Sequence, residues 1–194
     1  MIDAKLIQRL RTQTGGGIVD CKKALEESGN DYEKALELMR KQGQKSAAKR
    51  VERETHEGIV HSYIHANNKT GVLVEVLCET DFVARNEAFQ AFVHDIALHI
   101  AAMSPLYIST TEVPEDMVAK EKEIYREQMV GEQKPAEILE KIIDGKLAKF
   151  YEDICLLNQK FIKDDTLTIG AVLTEQIAKT GENIQIKRFA RFAL

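Results

Sequence analysis

The chain has 194 residues, 44% of them hydrophobic, and a formal charge of −4, enough for one core and a small satellite module. The acidic balance, with a pI near 5.8, argues against a general binder of nucleic acid or anionic membrane, and no apolar run reaches the length of a membrane span. The N-terminus, Met1-Ile2-Asp3-Ala4, has no basic segment and no signal-like apolar stretch, so the expected compartment is the cytosol. Cys21, Cys78 and Cys155 are odd in number and widely spaced. They fit reduced, buried thiols better than a disulfide framework, although an intermolecular bond through one of them stays open at this level.

Residues 1–43 predict three short helices. Ile2, Leu6, Ile7 and Leu10 form the first apolar stripe, and Gly15-Gly16-Gly17 stops it. Val19, Cys21, Ala24 and Leu25 belong to a second helix ending near Ser28-Gly29. Asn30 with Glu33 resembles a capping box opening a third, with Tyr32, Ala35, Leu36 and Met39 inward and Gly43 as its stop. So small a module has a thin core and is expected to be marginal or semi-independent. Residues 44–56 set Lys45, Lys49, Arg50 and Arg53 against Glu52 and Glu54 and predict a solvated linker, helical in part.

From residue 57 the periodicity changes. Residues 58–65 alternate, Asn67 to Gly71 is turn chemistry, and Val72, Val74, Val76 and Cys78 share a strand face, so the pair predicts a β-hairpin. Asn86 caps a helix with the inner stripe Phe89, Phe92, Val93, Ile96, Ile100 and Met103. Pro114 and Pro135 stand at helix starts with Gly131 between them, which predicts a helical hairpin over about 115–155. Its apolar faces are Met117, Val118, Ile124 and Tyr125 against Ile138, Leu139, Ile142, Ile143 and Phe150. Gly170 to Lys179 is a last short helix stopped at Gly181. Ile184, Ile186, Phe189 and Phe192 make a closing strand with room for a bulge. The expected fold class is α+β: a three-helix N-terminal module, then a core over 57–194 with a three-stranded antiparallel sheet, packed helices and an inserted hairpin.

Thr80-Asp81-Phe82-Val83-Ala84-Arg85-Asn86 falls at the strand-to-helix corner. A phenylalanine there either tucks beneath the helix as a local staple or is offered to another molecule. Catalytic constellations are missing: there is no GxxxxGK[ST] loop, GxSxG elbow or CxxC. His61 and His65 share a strand face but stand about 13 Å apart at roughly 3.3 Å per residue, too far for one metal to bind both. His94 and His99 are five apart on a helix and point in different directions. Asp164-Asp165 and Glu26-Glu27 read as surface charge. No metal or cofactor is expected, and a chain poor in chemistry and rich in surface favours action on a protein.

Three segments in order carry a resemblance. Leu10 to Leu25 (LRTQTGGGIVDCKKAL), Glu75 to Asn86 (EVLCETDFVARN) and Gly181 to Ile186 (GENIQI) are similar to recurring stretches of translation elongation factor Ts. The resemblance implies a guanine-nucleotide exchange factor, not an enzyme, acting on elongation factor Tu in the cytoplasm. It implies a ubiquitin-associated-like N-terminal module and an α+β core with an inserted hairpin. Phe82 matches the aromatic that enters the partner's GTPase domain, and Asp81 the acid beside it, near Mg²⁺ and the phosphates. Thr80 and Val83 complete that corner. Ile18, Val19 and Lys22 match the part that docks on the same domain. Direct contact with nucleic acid or membrane is not implied.

Two departures from the family pattern are mild: Leu77 stands where Asn is usual, and Ile18-Val19 replace a pair often written with methionine or leucine. The size difference is larger. Longer family members hold two related core subdomains, whereas this chain has room for one. A lone three-stranded sheet has an uncovered face, so pairing of two chains through their sheets is expected. Two rival readings remain: an adaptor in which residues 1–43 recognise a peptide, and a small-molecule enzyme using His61, Cys78 and His94.

Overall fold

The computed structural model describes residues 3–129 and 135–194. Helix α1 (Ala4–Thr14) starts on Asp3, whose side chain accepts the Lys5 N–H, and stops at Gly15 with φ 69°. Helix α2 (Ile18–Glu27) follows the glycine run. Their buried residues, Leu10, Cys21, Ala24 and Leu25, meet Ala35, Leu36 and Met39 of α3 (Tyr32–Ala48) in a small separate core. Ile2, expected on the first stripe, lies outside the described residues.

Two expectations for α3 need correction. Its N-cap is Asp31, which accepts the Lys34 N–H at 3.2 Å. Asn30 sits in the left-handed region, φ 67°, directly after Gly29 at 64°. That turn delays the first extended residue to position 31, and only such a residue can turn its side chain onto the helix start. Nor does Gly43 end the helix, which runs to Ala48. A Cβ at position 43 would lie 3.1 Å from the Ala178 Cβ, so this glycine lets another helix approach closely.

Strands β1 (Glu57–Ile64) and β2 (Thr70–Cys78) form the hairpin. A single turn, α4 (Asp81–Ala84), leads into α5 (Glu87–Met103), capped by the Asn86 side chain on the Ala88 N–H. Phe89, Phe92, Val93, Ile96 and Ile100 are buried as the stripe requires. Met103, expected with them, is exposed, because Ser104 in the left-handed region ends the helix there. Helices α6 (Glu115–Glu127) and α7 (Ala136–Ile154) begin on Pro114 and Pro135. Polar pairs line their seam, with Arg126 on Glu140 at 3.2 Å and Lys146 on Gln128 at 2.7 Å. Gly131, expected in the connection, lies outside the described residues.

A two-stranded sheet of β3 (Lys160–Phe161) and β4 (Asp164–Thr168) adds to the expected strands. Helix α8 (Ile169–Thr180) ends at Gly181, φ 78°. Strand β5 (Gln185–Ala193) closes the antiparallel sheet in the order β1-β2-β5. The expected bulge is there: Val76 pairs with Ile186 and Glu75 with Arg188, which leaves Lys187 unmatched. The result is an α+β architecture. Val72, Val74, Val76 and Cys78 pack against α5, with Leu156, Ile169, Ile177 and Ile186 in the same core.

Helix α3 also lies along α8, where Arg40 and Glu175 pair at 3.5 Å. A cavity of about 280 Å³ opens beside their contact, lined by Met39, Gly43, Ala171 and Lys179 among others.

Candidate functional site

The corner is built from the end of β2 outward. Cys78 is buried and donates its thiol to the Thr80 carbonyl at 3.2 Å; burial first, then the Glu182 charge, pushes its pKa up to about 11. Thr80 is the N-cap of α4, with its hydroxyl 3.5 Å from the Val83 N–H. One turn of helix advances about 100° per residue, so neighbours point apart. Ala84 is buried and Val83 packs against the core. Phe82 is turned the other way and is 83% exposed. It does not tuck beneath α5, which removes the staple alternative. Asp81 beside it meets Arg85 at 3.1 Å across one helical turn, a surface pair of small energetic weight.

A distant loop braces this turn. The Glu182 carboxylate accepts the Glu79 N–H at 3.1 Å, the Thr80 N–H at 3.0 Å and the Thr80 hydroxyl at 2.6 Å. Glu79 in return accepts the Asn183 N–H at 2.6 Å, and the Asn183 amide donates to the carbonyls of Val51 and Arg53. Sequence reasoning had missed Glu79, Glu182 and Asn183 as holders of the corner. The only signal was that Gly181–Ile186 formed the third recurring stretch.

Ile18 and Val19 open α2 and are 56% and 64% exposed. Lys22, one turn on, points to solvent within 3.8 Å of Glu26. The turn before them rests on α8: a Cβ on Gly15 would lie 2.8 Å from Lys179 Cγ. Two exposed apolar features therefore flank the end of α8.

The residues of the enzyme alternative do not converge. His61 Nε2 meets His94 Nδ1 at 3.1 Å, an approach across β1 and α5 that spacing in either element could not reveal. Burial and the neighbouring His94 hold the His61 pKa below its usual value. Cys78, however, pairs with Glu57, whereas His61 pairs with Val74, four residues or about 13 Å along the sheet. Among the described residues, no group of three or more His, Cys, Asp or Glu is placed to hold a metal ion. No helix described is long and apolar enough to cross a membrane. All three cysteines are buried and unpaired with one another.

Fold and site together define a chain that presents a surface rather than a pocket of reactive groups. The family model described as "Elongation factor TS" matches residues 18–194. The elongation factor Ts of Thermosipho melanesiensis is 53% identical over 194 residues, covering all of this chain and 99% of that protein. That of Fervidobacterium nodosum is 53% identical and 98% covered, and that of Geobacter sp. strain M21 is 55% identical and 89% covered. The chain belongs to the elongation factor Ts family, whose members are translation elongation factors.

Proposed function

We propose that the chain is the guanine-nucleotide exchange factor for elongation factor Tu, and that it works in the cytoplasm without a cofactor or chemistry of its own. Residues 1–43 dock on the GTPase domain through Ile18, Val19 and Lys22, residues 44–56 tether them, and residues 57–194 carry the probe. Phe82 enters between elements of the GTPase domain while Asp81 disturbs the region that holds Mg²⁺ and the phosphates. Thr80 and Val83 fix the corner from which they project. The observation that carries this reading is Phe82, 83% exposed on a turn whose neighbours are anchored in the core.

The energetics require both surfaces. The factor must bind the nucleotide-free partner more tightly than the GDP-bound one, and by linkage GDP then weakens the factor equally. A nanomolar nucleotide represents about 12 kcal/mol of binding free energy. Burying one phenylalanine contributes about 1.5–3 kcal/mol. Phe82 therefore acts with an interface that holds it in place, and the exposed start of α2 is suited to supply part of it. The uncovered face of the sheet is proposed to pair with a second copy of the chain.

Release of labelled GDP from elongation factor Tu tests this. The protein is expected to accelerate release. Phe82→Ala is expected to lower the rate by about 10- to 100-fold, the kinetic equivalent of losing its burial. Asp81→Ala should also fall well below Asp164→Ala, which lies in β4 away from the corner. No acceleration by the unaltered protein would sink the reading.

A further inference from the structure

The capping bond of α4 is long, 3.5 Å from the Thr80 hydroxyl to the Val83 N–H, and the helix is only four residues. One isolated turn does not hold its shape, because nucleation costs more than a single turn returns. Its direction must be imposed from outside, and Glu182 makes the contacts that can do so. Its carboxylate accepts a hydrogen bond from the Thr80 hydroxyl, which leaves the hydroxyl lone pairs free for the Val83 N–H. It also accepts hydrogen bonds from the Glu79 and Thr80 N–H groups. An ionised carboxylate only accepts, so it suits three donors; an amide in its place keeps one oxygen for the two N–H groups but sets its NH2 against the Thr80 hydroxyl, which must then turn its proton away and give up a lone pair.

The same residue stands close to the docking surface. Gly181 breaks α8 with φ 78° and delivers the chain to Glu182. Lys179, in the last turn of α8, is the residue against which the Gly15 backbone rests. The turn that leads into α2, at Gly15, and the Phe82 corner are thus both seated on the last turn of α8 and the loop behind it.

We propose that Glu182 is a positioning residue for exchange: it fixes the direction of Phe82 and ties it to the surface that docks. This rests on the exchange reading above. On this proposal Glu182 acts through its bonds to Glu79 and Thr80, and its effect passes through the corner.

GDP release from elongation factor Tu, followed across a range of factor concentrations, separates the maximal rate from the half-saturating concentration. Glu182→Gln, nearly the same shape, is expected to lower the maximal rate about tenfold, the effect of a lost charge-assisted hydrogen bond on a barrier. The half-saturating concentration should stay within about twofold, because α2 still docks. In the free variant the amides of Glu79 and Thr80 should exchange faster with deuterium while those of α5 keep their protection. In a Phe82→Ala background, Glu182→Gln should add nothing, because the group it positions is gone. Independent, multiplying effects would overturn the proposal, as would loss of α5 protection or a change confined to half-saturation. A Phe82→Ala defect alongside an undiminished Glu182→Gln rate overturns the positioning role alone. A Phe82→Ala protein as fast as the unaltered one overturns the exchange reading and this proposal with it.

Discussion

His99 lies on α5 with none of its surface in water. Its Nδ1 accepts the Ile162 N–H at 3.3 Å, so Nε2, 3.0 Å from Gln159 Oε1, carries the proton of a neutral ring. A second proton would place an N–H against the Ile162 N–H and a charge inside the core. Burial therefore pushes the pKa below its ordinary value, with the Gln159 bond opposing in part. The sign follows from linkage: as pH falls through the ordinary histidine range, the unfolded chain takes up a proton that the folded chain refuses. The stability contributed by His99 is complete above that range and is lost as pH drops toward the folded-state value, at no more than about 1.4 kcal/mol per pH unit. His61 shifts in the same direction. Denaturant midpoints measured from neutral pH down to about 5 should fall, and the His99 ring should titrate below the ordinary histidine range in an NMR experiment. A flat stability profile would show that the ring accepts its proton without cost.

The start of β1 depends on a glycine in the same way that the core depends on a neutral ring. Gly58 has φ 151°, and a Cβ there would lie 2.3 Å from the Val76 carbonyl oxygen and 2.8 Å from Leu77 Cα. Both obstacles are backbone of the paired strand and cannot step aside. Gly58→Ala is expected to cost about 2 kcal/mol or more, and to lower Tm by about 4–8 °C in a chain of this size. Gly145, inside α7 with open space around its Cβ position, sets the contrast. Gly145→Ala should raise stability by about 0.5–1 kcal/mol. Thermal unfolding of the two variants decides both. These glycines also mark how far the elements could be read from residues alone. The α5 stripe as far as Ile100, the Asn86 cap, the prolines that open α6 and α7, and the bulged last strand are local signals, and each is present. Gly43 carries the same letter as Gly15 but lies mid-helix, because its reason is Ala178 on another helix. Lys160–Phe161 is too short a strand to alternate visibly. The corner position left Phe82 open between a staple and an exposed side chain, and the fold decides for exposure; Glu182 was not legible at all, since its donors lie 102 and 103 residues away.

At the scale of the molecule, the sheet has one covered face and one bare one. The register places three rows on the side away from α5: Val60, Glu75 and Arg188, then Ser62, Leu73 and Ala190, then Ile64, Gly71 and Phe192. Val60, Ile64, Leu73 and Phe192 are all exposed there. The Glu75–Arg188 ion pair crosses the middle of that face. An apolar surface of this kind is costly in water, which supports the proposed pairing with a second copy. A second copy suits it for a reason of charge: a two-fold axis near the centre brings each Glu75 toward the Arg188 of the other chain, so the patch is complementary to itself. Sheet-on-sheet packing would then complete a sandwich that one chain begins. Sedimentation at micromolar concentration should give twice the chain mass. Leu73→Lys combined with Val60→Lys should give the single mass, since it sets like charges against each other across the axis while leaving the α5 face of the sheet intact. The single mass for the unaltered protein, together with full exchange activity, would show that the bare face is not needed for function. Monomeric but well-folded Lys variants with reduced exchange would instead mean that the corner works properly only when the sheet behind it is held from both sides.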